Sequence, residues 1–182
     1  MTMALCRQFH TEIDSVAKKE WSDITSLFED ANIYQTWSYG AVRWGADNLS
    51  HLLLKKDGQV VACAQVAIFR APIVAAGVAY LRWGPLCRLR GAQKDLDVVR
   101  TMSAALRDEY VIRRRLLLRV IPNPLYEDNR GPDYQSACEA NGFSRTYTGN
   151  KYRTLLLDLS PPLDELRKRL VQKWRCDLNR AE

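Results

Sequence analysis

The feature that most constrains the fold is an apolar hairpin near the middle of the chain. Residues 51–69 are HLLLKKDGQVVACAQVAIF, and Asp57 and Gly58 supply the turn between two extended arms. Glycine tolerates the positive φ that tight hairpin turns require. The second arm is almost wholly apolar, which is typical of a strand that is covered on both faces. The hairpin therefore predicts a sheet with a packed layer on each side.

Helical and extended patterns alternate along the rest of the chain. Apolar residues that recur every three or four positions predict helices, and short apolar runs between them predict strands. The predicted elements are, in chain order, a strand at 5–9, helices at 13–28 and 35–44, the two hairpin arms, a strand at 78–83, a helix at 92–115, a strand at 116–120, a helix at 133–140, a strand at 151–159 and a helix from 160 onward. Thr36 is the expected N-cap of the second helix, and Gly45 its C-terminal stop. Ser160 and Pro161 are expected to open the last helix.

This order of elements predicts an α/β fold. We expect a mixed sheet flanked by helices over residues 1–159, followed by a basic amphipathic helix at 160–182. The length of 182 residues suits one domain and a short extension, and a hydrophobic content of 47% excludes a disordered, collagen-like or coiled-coil chain. The net charge of +6 permits an anionic partner but does not demand one.

Cysteine, histidine and hydropathy patterns exclude further classes. The 5 cysteines, which have no CxxC spacing, predict reduced thiols in a cytoplasmic protein. The 2 histidines have no cysteine or carboxylate at ligand spacing, so we expect no metal site. The apolar segment 60–81 contains Gln65, Arg70 and Pro72, and we therefore expect two strands there and no transmembrane segment.

From about Ile33 onward, three runs of sequence resemble the Fem family of peptidoglycan aminoacyltransferases. The first run, at 33–45, is IYQTWSYGAVRWG, and the second, at 80–86, is YLRWGPL. The third begins at 138 with CEANGFSRTYTGNKYRTLLLDL and ends with LRKRLVQKWRCDLNRAE. The resemblance implies a GNAT-like acyltransferase fold. It also implies transfer of an amino acid from aminoacyl-tRNA to an amine of a cell-wall precursor.

The resemblance implies substrate-binding roles for Arg43, Gly84 and Pro85. In the family, the basic residue of the first run reaches the diphosphate of the precursor, and the matching position here is Arg43. The planar guanidinium can pair two oxygens at once. The family's small-residue turn corresponds to Gly84 and Pro85, where the backbone can approach a ligand. The alternatives are that Arg43 is a solvated cation at a helix end and that the Gly-Pro pair only terminates a strand.

The sequence does not identify a catalytic residue. Some family members carry a carboxylate soon after the Gly-Pro pair, considered as a base for the attacking amine. Here no Asp or Glu occurs between Pro85 and Asp95, so no general base is assigned. Cys87 has a basic neighbour in Arg88, but without a histidine partner it is interpreted as a packed thiol.

Family members continue into a second GNAT-like half. We therefore expect this chain to be the N-terminal half, with the helix at 160–182 meeting the second half or an oligomer partner. Its basic residues suit contact with tRNA phosphates, and the alternative is a solvated amphipathic face. Trp174, on the apolar side of this helix, would be exposed without such a partner.

Two other hypotheses remain open. GNAT acetyltransferases bind the coenzyme A pyrophosphate at a strand-to-helix turn with the pattern Q/R-x-x-G-x-G/A. Arg88 and Gly91 match this pattern, whereas Gln93 does not, and no cofactor is assigned. The chain could thus be a stand-alone N-acetyltransferase that uses acetyl-CoA, or a non-catalytic binding or assembly module with the same fold.

Overall fold

The predicted hairpin forms the centre of the sheet. It consists of β2 (Leu49–Lys56) and β3 (Gln59–Arg70), which pair in antiparallel fashion. Asp57 and Gly58 have φ values of 52° and 82°, as a tight hairpin turn of the I′ kind requires. The computed structural model describes residues 9–71, 76–93, 95–122, 132–146 and 157–181.

Three further strands complete a 5-stranded sheet in the order β1-β2-β3-β4-β5. They are β1 (Phe9–Ile13), β4 (Gly77–Arg82) and β5 (Leu117–Ile121). The β4–β5 pair is parallel and the other pairs are antiparallel, so the predicted mixed sheet is confirmed. The first strand starts at the last residue of the predicted 5–9 segment, and residues 5–8 lie outside the described part of the chain.

One face of the sheet, called here the α3 face, is packed against α3 (Leu96–Leu106). A short helix, α4 (Pro132–Glu139), lies against α3. The buried residues of this face are almost all apolar. They are Leu52, Leu54, Ala62, Ala64, Val66, Ala79, Leu81, Val98, Met102, Leu106, Tyr110 and Leu116.

The helix predicted over 92–115 is shorter than expected. Asp95 caps α3 by accepting hydrogen bonds from the N–H groups of Asp97 and Val98, so the helix begins after it. At its other end the helix widens into a π-helical turn, Arg107–Arg113. Glu109 is buried in this turn because two arginines that follow it in sequence pair with its carboxylate.

The opposite face, called here the α2 face, is covered by α1 (Lys18–Ser26) and α2 (Trp37–Trp44). Ile13, predicted to be helical, lies in β1 instead. Thr36 caps α2 by accepting from the N–H of Tyr39, and Gly45 ends it with a φ of 88°, as predicted. The buried apolar residues of this face are Val16, Trp21, Ile24, Phe28, Leu53, Cys63 and Leu86.

The chain divides into two compact units, Met1–Ser144 and Arg145–Glu182. The single C-terminal helix predicted from 160 is instead two helices, α5 (Leu163–Arg169) and α6 (Gln172–Ala181). Ser160 does not cap α5, because a proline disfavours helical backbone in the residue before it and Pro161 precedes Pro162.

Neither α5 nor α6 buries a residue. Of the strand predicted at 151–159, residues 157–159 are not in a strand, and the others lie outside the described residues. Among the helices of the described residues, none is long and apolar enough to cross a membrane.

Candidate functional site

The predicted site residue Arg43 lies in a groove on the outer side of α2. The groove has a volume of about 480 Å³ and is lined by Ile33, Thr36, Ser38, Tyr39, Val42 and Arg43. Arg43 is exposed in the last turn of the helix and makes no hydrogen bond or ion pair with any residue that the structure describes. Its apolar neighbours Ile33 and Val42 are 62% and 90% exposed. The groove thus joins a free guanidinium to uncovered apolar surface.

Gly84 and Pro85, the other predicted site residues, are buried and do not line this groove. A Cβ atom on Gly84 would come within 2.9 Å of Leu81 Cδ1 and 3.0 Å of Gln35 Cδ. The small residue therefore makes room for the protein's own side chains. The peptide bond between Gly84 and Pro85 is cis.

The amide of Gln35 joins strands β3 and β4 at the point where their ladder stops. Its Oε1 accepts from the N–H of Gln65 at 2.8 Å, and its Nε2 donates to the carbonyl oxygens of Arg82 at 2.8 Å and Gln65 at 3.3 Å. Only 1% of Gln35 is exposed. A side chain thus takes the place of a strand partner, and it fixes the end of β4 relative to the start of α2.

A second buried polar group, His51, lies between two tryptophans of the α2 face. Its ring stacks on Trp37 with centroids 4.0 Å apart and meets Trp21 edge to face at 4.6 Å. Nε2 of His51 is 3.0 Å from Oε1 of Gln65, whose Nε2 donates to the carbonyl of Thr36 at 2.9 Å. Burial lowers the pKa of His51 below its usual range, so the neutral ring is favoured.

Aromatic and arginine side chains continue the α2 face across β4 and β5. We call this the aromatic–arginine surface, and its members are Tyr34, Tyr39, Trp44, Tyr80, Arg82, Trp83 and Arg119. Neighbouring rings have centroids 5.1 to 6.0 Å apart. The guanidinium of Arg82 lies 4.3 Å from the ring centre of Tyr34, and that of Arg119 lies 5.9 Å from Tyr80. Sequence analysis noted part of this surface within two motifs but assigned it no role, because its members are brought together only by the sheet.

The loop that resembles a pyrophosphate cradle holds carboxylates of the protein itself. Asp30 accepts hydrogen bonds from the N–H groups of Cys87 and Arg88, at 3.0 and 3.3 Å. Glu29 accepts from the N–H of Gly91 at 3.2 Å and from the Arg88 side chain at 2.9 Å. Burial raises the pKa of Asp30, although these bonds oppose the shift. A pyrophosphate bound at this loop would have to displace both carboxylates.

The described residues form neither a metal site nor a reactive-cysteine site. No group of three or more His, Cys, Asp or Glu side chains there could hold a metal ion. Cys63 is buried in β3, and burial raises the pKa of its thiol well above the usual range. Cys87, which sequence analysis interpreted as a packed thiol, is half-buried against the α3 face.

Comparison with known proteins defines the fold. No family model matches the sequence, and no curated protein matches it either. The crystal structure of FemX is similar with a TM-score of 0.55 and 14% identity, over 73% of this chain and 32% of FemX. The chain therefore spans about a third of the length of FemX. This likeness shows that the chain has a GNAT-like fold, in which a mixed sheet is flanked by helices and followed by C-terminal helices.

Two acetyltransferase structures are also similar, with lower scores. An aminoglycoside acetyltransferase from an uncultured soil metagenomic sample, in complex with trehalose, has a TM-score of 0.49 and 11% identity, over 81% of this chain and 97% of that chain. A predicted acetyltransferase from Clostridium acetobutylicum, with acetyl-CoA, has a TM-score of 0.49 and 11% identity, over 80% of this chain and 96% of that chain.

Proposed function

We propose that this chain is one half of a Fem-type acyltransferase, which transfers an amino acid or another acyl group to an amine of a cell-wall precursor. The observation that carries the proposal is the groove of Arg43 on α2. A guanidinium that has no partner among the described residues adjoins exposed apolar side chains there, at the position where the Fem resemblance expects a diphosphate. The GNAT-like fold, which the chain shares with part of FemX, supports the same assignment.

Arg43 would bind the diphosphate of the acceptor in this proposal. Its forked donors suit two phosphate oxygens, and the exposed position leaves them accessible. Ile33 and Val42 would contact apolar parts of the same molecule. Gly84 and Pro85 would act by fixing the turn after β4 rather than by touching the ligand, because both are buried.

The reaction would be attack of the acceptor amine on an activated acyl carbon. Rate acceleration would come chiefly from holding the amine and the acyl group in contact and from stabilising the oxyanion that forms. No described residue is assigned as general base. The acyl donor, aminoacyl-tRNA in the Fem resemblance, would be held together with a second GNAT-like half. Exposed apolar residues of α5 and α6, such as Leu163 and Trp174, offer a surface for that half or for an oligomer partner.

The test is calorimetric titration of a nucleotide-linked cell-wall precursor into the wild type and Arg43→Ala. We expect the substitution to weaken binding about tenfold or more, because a hydrogen bond to a charged group contributes roughly 1.5–3 kcal/mol. Arg100→Ala is the matched control, since Arg100 is an exposed helical arginine on α3. Equal affinities of the wild type and Arg43→Ala, or no binding by either, would contradict the proposal.

A second measurement separates the two alternative functions. A thermal shift with acetyl-CoA that exceeds the shift with the precursor would favour a stand-alone N-acetyltransferase. Light scattering would measure the oligomeric state. A chain that oligomerises and binds neither acetyl-CoA nor the precursor would favour the function of an assembly module. Under the Fem-type proposal, we expect stabilisation by the precursor and none by acetyl-CoA.

A further inference from the structure

The register of the sheet gathers cationic and aromatic side chains on the α2 face of β4 and β5. Tyr80 pairs with Arg119 across the two strands, and Arg82 pairs with Ile121. Their neighbours in sequence, such as Leu81, point to the core of the α3 face. Tyr80 and Arg82 are half-buried, and Arg119 is exposed. This part of the sheet therefore presents positive charge and π surface, whereas the opposite face is packed mainly with apolar side chains.

Arg82 is the least satisfied member of this surface. Its Nε is buried and has no hydrogen-bond partner among the described residues. The hydrogen bond from its Nη1 to the hydroxyl of Tyr39 is 3.4 Å long, close to the limit for such a bond. A buried guanidinium N–H without an acceptor is costly, and such groups normally find an oxygen partner.

Within the unit that contains the sheet, Met1–Ser144, the other two described arginines that are half-buried have carboxylate partners. Arg114 binds the carboxylates of Asp14 at 2.8 Å and Glu109 at 2.7 Å. Arg88 binds Glu29 at 2.9 Å. Arg82 has no carboxylate partner in the described part of the chain. Its guanidinium therefore lacks the anionic partner that Arg88 and Arg114 have.

We infer that Arg82, which lies over the ring of Tyr34, binds a second oxyanion of the acceptor, at a position next to the groove of Arg43. Tyr39 links the two positions, because it lines that groove and its hydroxyl contacts Arg82. The cation–π contact with Tyr34 restrains the guanidinium, whose forked donors suit pairing with a carboxylate or phosphate. The inference rests on the proposed function, since it assigns a further contact to the same acceptor.

Two sources of the oxyanion are distinguished by three titration probes. The first probe is the nucleotide-linked precursor with free peptide carboxylates, the second is the same compound with those carboxylates amidated, and the third is the nucleoside diphosphate alone. If Arg82 binds a carboxylate, Arg82→Ala weakens the first probe about tenfold and leaves the other two unchanged. If Arg82 binds a phosphate oxygen, the substitution weakens all three probes equally. If Arg82→Ala binds each of the three probes with the same affinity as the wild type, the inference is overturned.

A spectroscopic test is independent of the proposed acceptor. The Nε–H resonance of Arg82 is assigned by its absence from the spectrum of Arg82→Lys. Lysine is chosen because it keeps the positive charge, so this variant is expected to fold like the wild type. We expect this resonance to shift on addition of inorganic diphosphate or acetate to the wild type. A resonance that responds to neither anion would overturn the inference. If the resonance shifts while the precursor fails to bind, the oxyanion site stands and the proposed function fails.

Discussion

The two faces of the sheet are built from different chemistry. The α3 face is closed mainly by apolar side chains from three strands and one helix, and its buried polar groups include the hydroxyls of Tyr110 and Ser50, which are 2.9 Å apart. The α2 face contains buried amides and an imidazole, namely Gln35, Gln65 and His51, and it continues into the aromatic–arginine surface. Apolar packing is non-directional, whereas hydrogen bonds fix distance and angle. We therefore propose that the α3 face contributes chiefly to stability, whereas the α2 face, beside its own apolar cluster, also positions the residues proposed to bind ligand.

The strongest test of this contrast is a cavity on the α3 face. Leu54→Ala removes a side chain with 0% exposure from the centre of the hairpin. We expect the free energy of unfolding to fall by about 3 kcal/mol, because the lost burial and the cavity both cost stability. Urea denaturation measures the loss, and titration of the folded protein should give the wild-type affinity for the precursor. Val42→Ala, at a position that is 90% exposed, controls for truncation itself in the denaturation experiment.

A smaller effect of another kind is expected from Gln35→Met on the α2 face. The substitution keeps a similar volume but removes the acceptor of the Gln65 N–H and the donor to the carbonyls of Gln65 and Arg82. We expect stability to fall by about 2 kcal/mol and precursor affinity to fall as well, because the end of β4 is no longer fixed to α2. Gln135→Met, on an exposed turn of α4, is the matched control. The proposed division of roles is wrong if Gln35→Met destabilises the fold but binds the precursor as tightly as Leu54→Ala.

The smallest effect is a pH dependence that arises from His51. Burial lowers the pKa of His51 in the folded state, so the unfolded chain binds a proton more readily. The contribution of His51 to the free energy of unfolding is therefore fully present above the pKa of the unfolded state, and it decreases as the pH falls below about 6.5. Between about pH 7 and 6, the loss is at most about 0.7 kcal/mol for one proton.

His51→Gln should remove this component of the pH dependence. The measurement is the difference in free energy of unfolding between the wild type and the variant across the same range. Acidic groups elsewhere contribute equally to both proteins and cancel in the difference. A constant difference from neutral to mildly acidic pH would show that His51 does not titrate differently on folding.

Local signals explain what the sequence could predict. The turn at Asp57 and Gly58, the Thr36 cap and the Gly45 stop each depend on residues within a few positions of one another, and the structure confirms all three. The prediction of a single C-terminal helix from residue 160 is wrong in two respects. Two adjacent prolines delay the start of the helix, and the backbone leaves helical geometry at Leu170. The order of elements predicts the α/β class and the mixed sheet, whereas the GNAT-like fold is implied by the family resemblance.

The features of the site that sequence analysis missed depend on distant partners. Gln35 bonds to residues 30 and 47 positions away, and Arg82 meets Tyr39 across 43 positions. Spacing along the chain cannot reveal such contacts, because they exist only after the sheet has formed. The sequence signal that was available is a glutamine within an otherwise apolar strand, Gln65, since a buried amide needs partners.

The Gln35 amide also makes the motions of α2 and the sheet interdependent. Gln35 lies in the short turn just before α2. When this turn lifts off the sheet together with the helix, the bond from the Gln65 N–H to Gln35 breaks and this backbone hydrogen becomes free to exchange with solvent. Deuterium uptake at Gln65 thus reports the frequency of helix detachment rather than of strand separation. An acceptor that joined Arg43 on α2 to Arg82 on β4 would clamp the two elements together. Slower uptake at this one amide would then record occupancy of the site without any measurement of turnover.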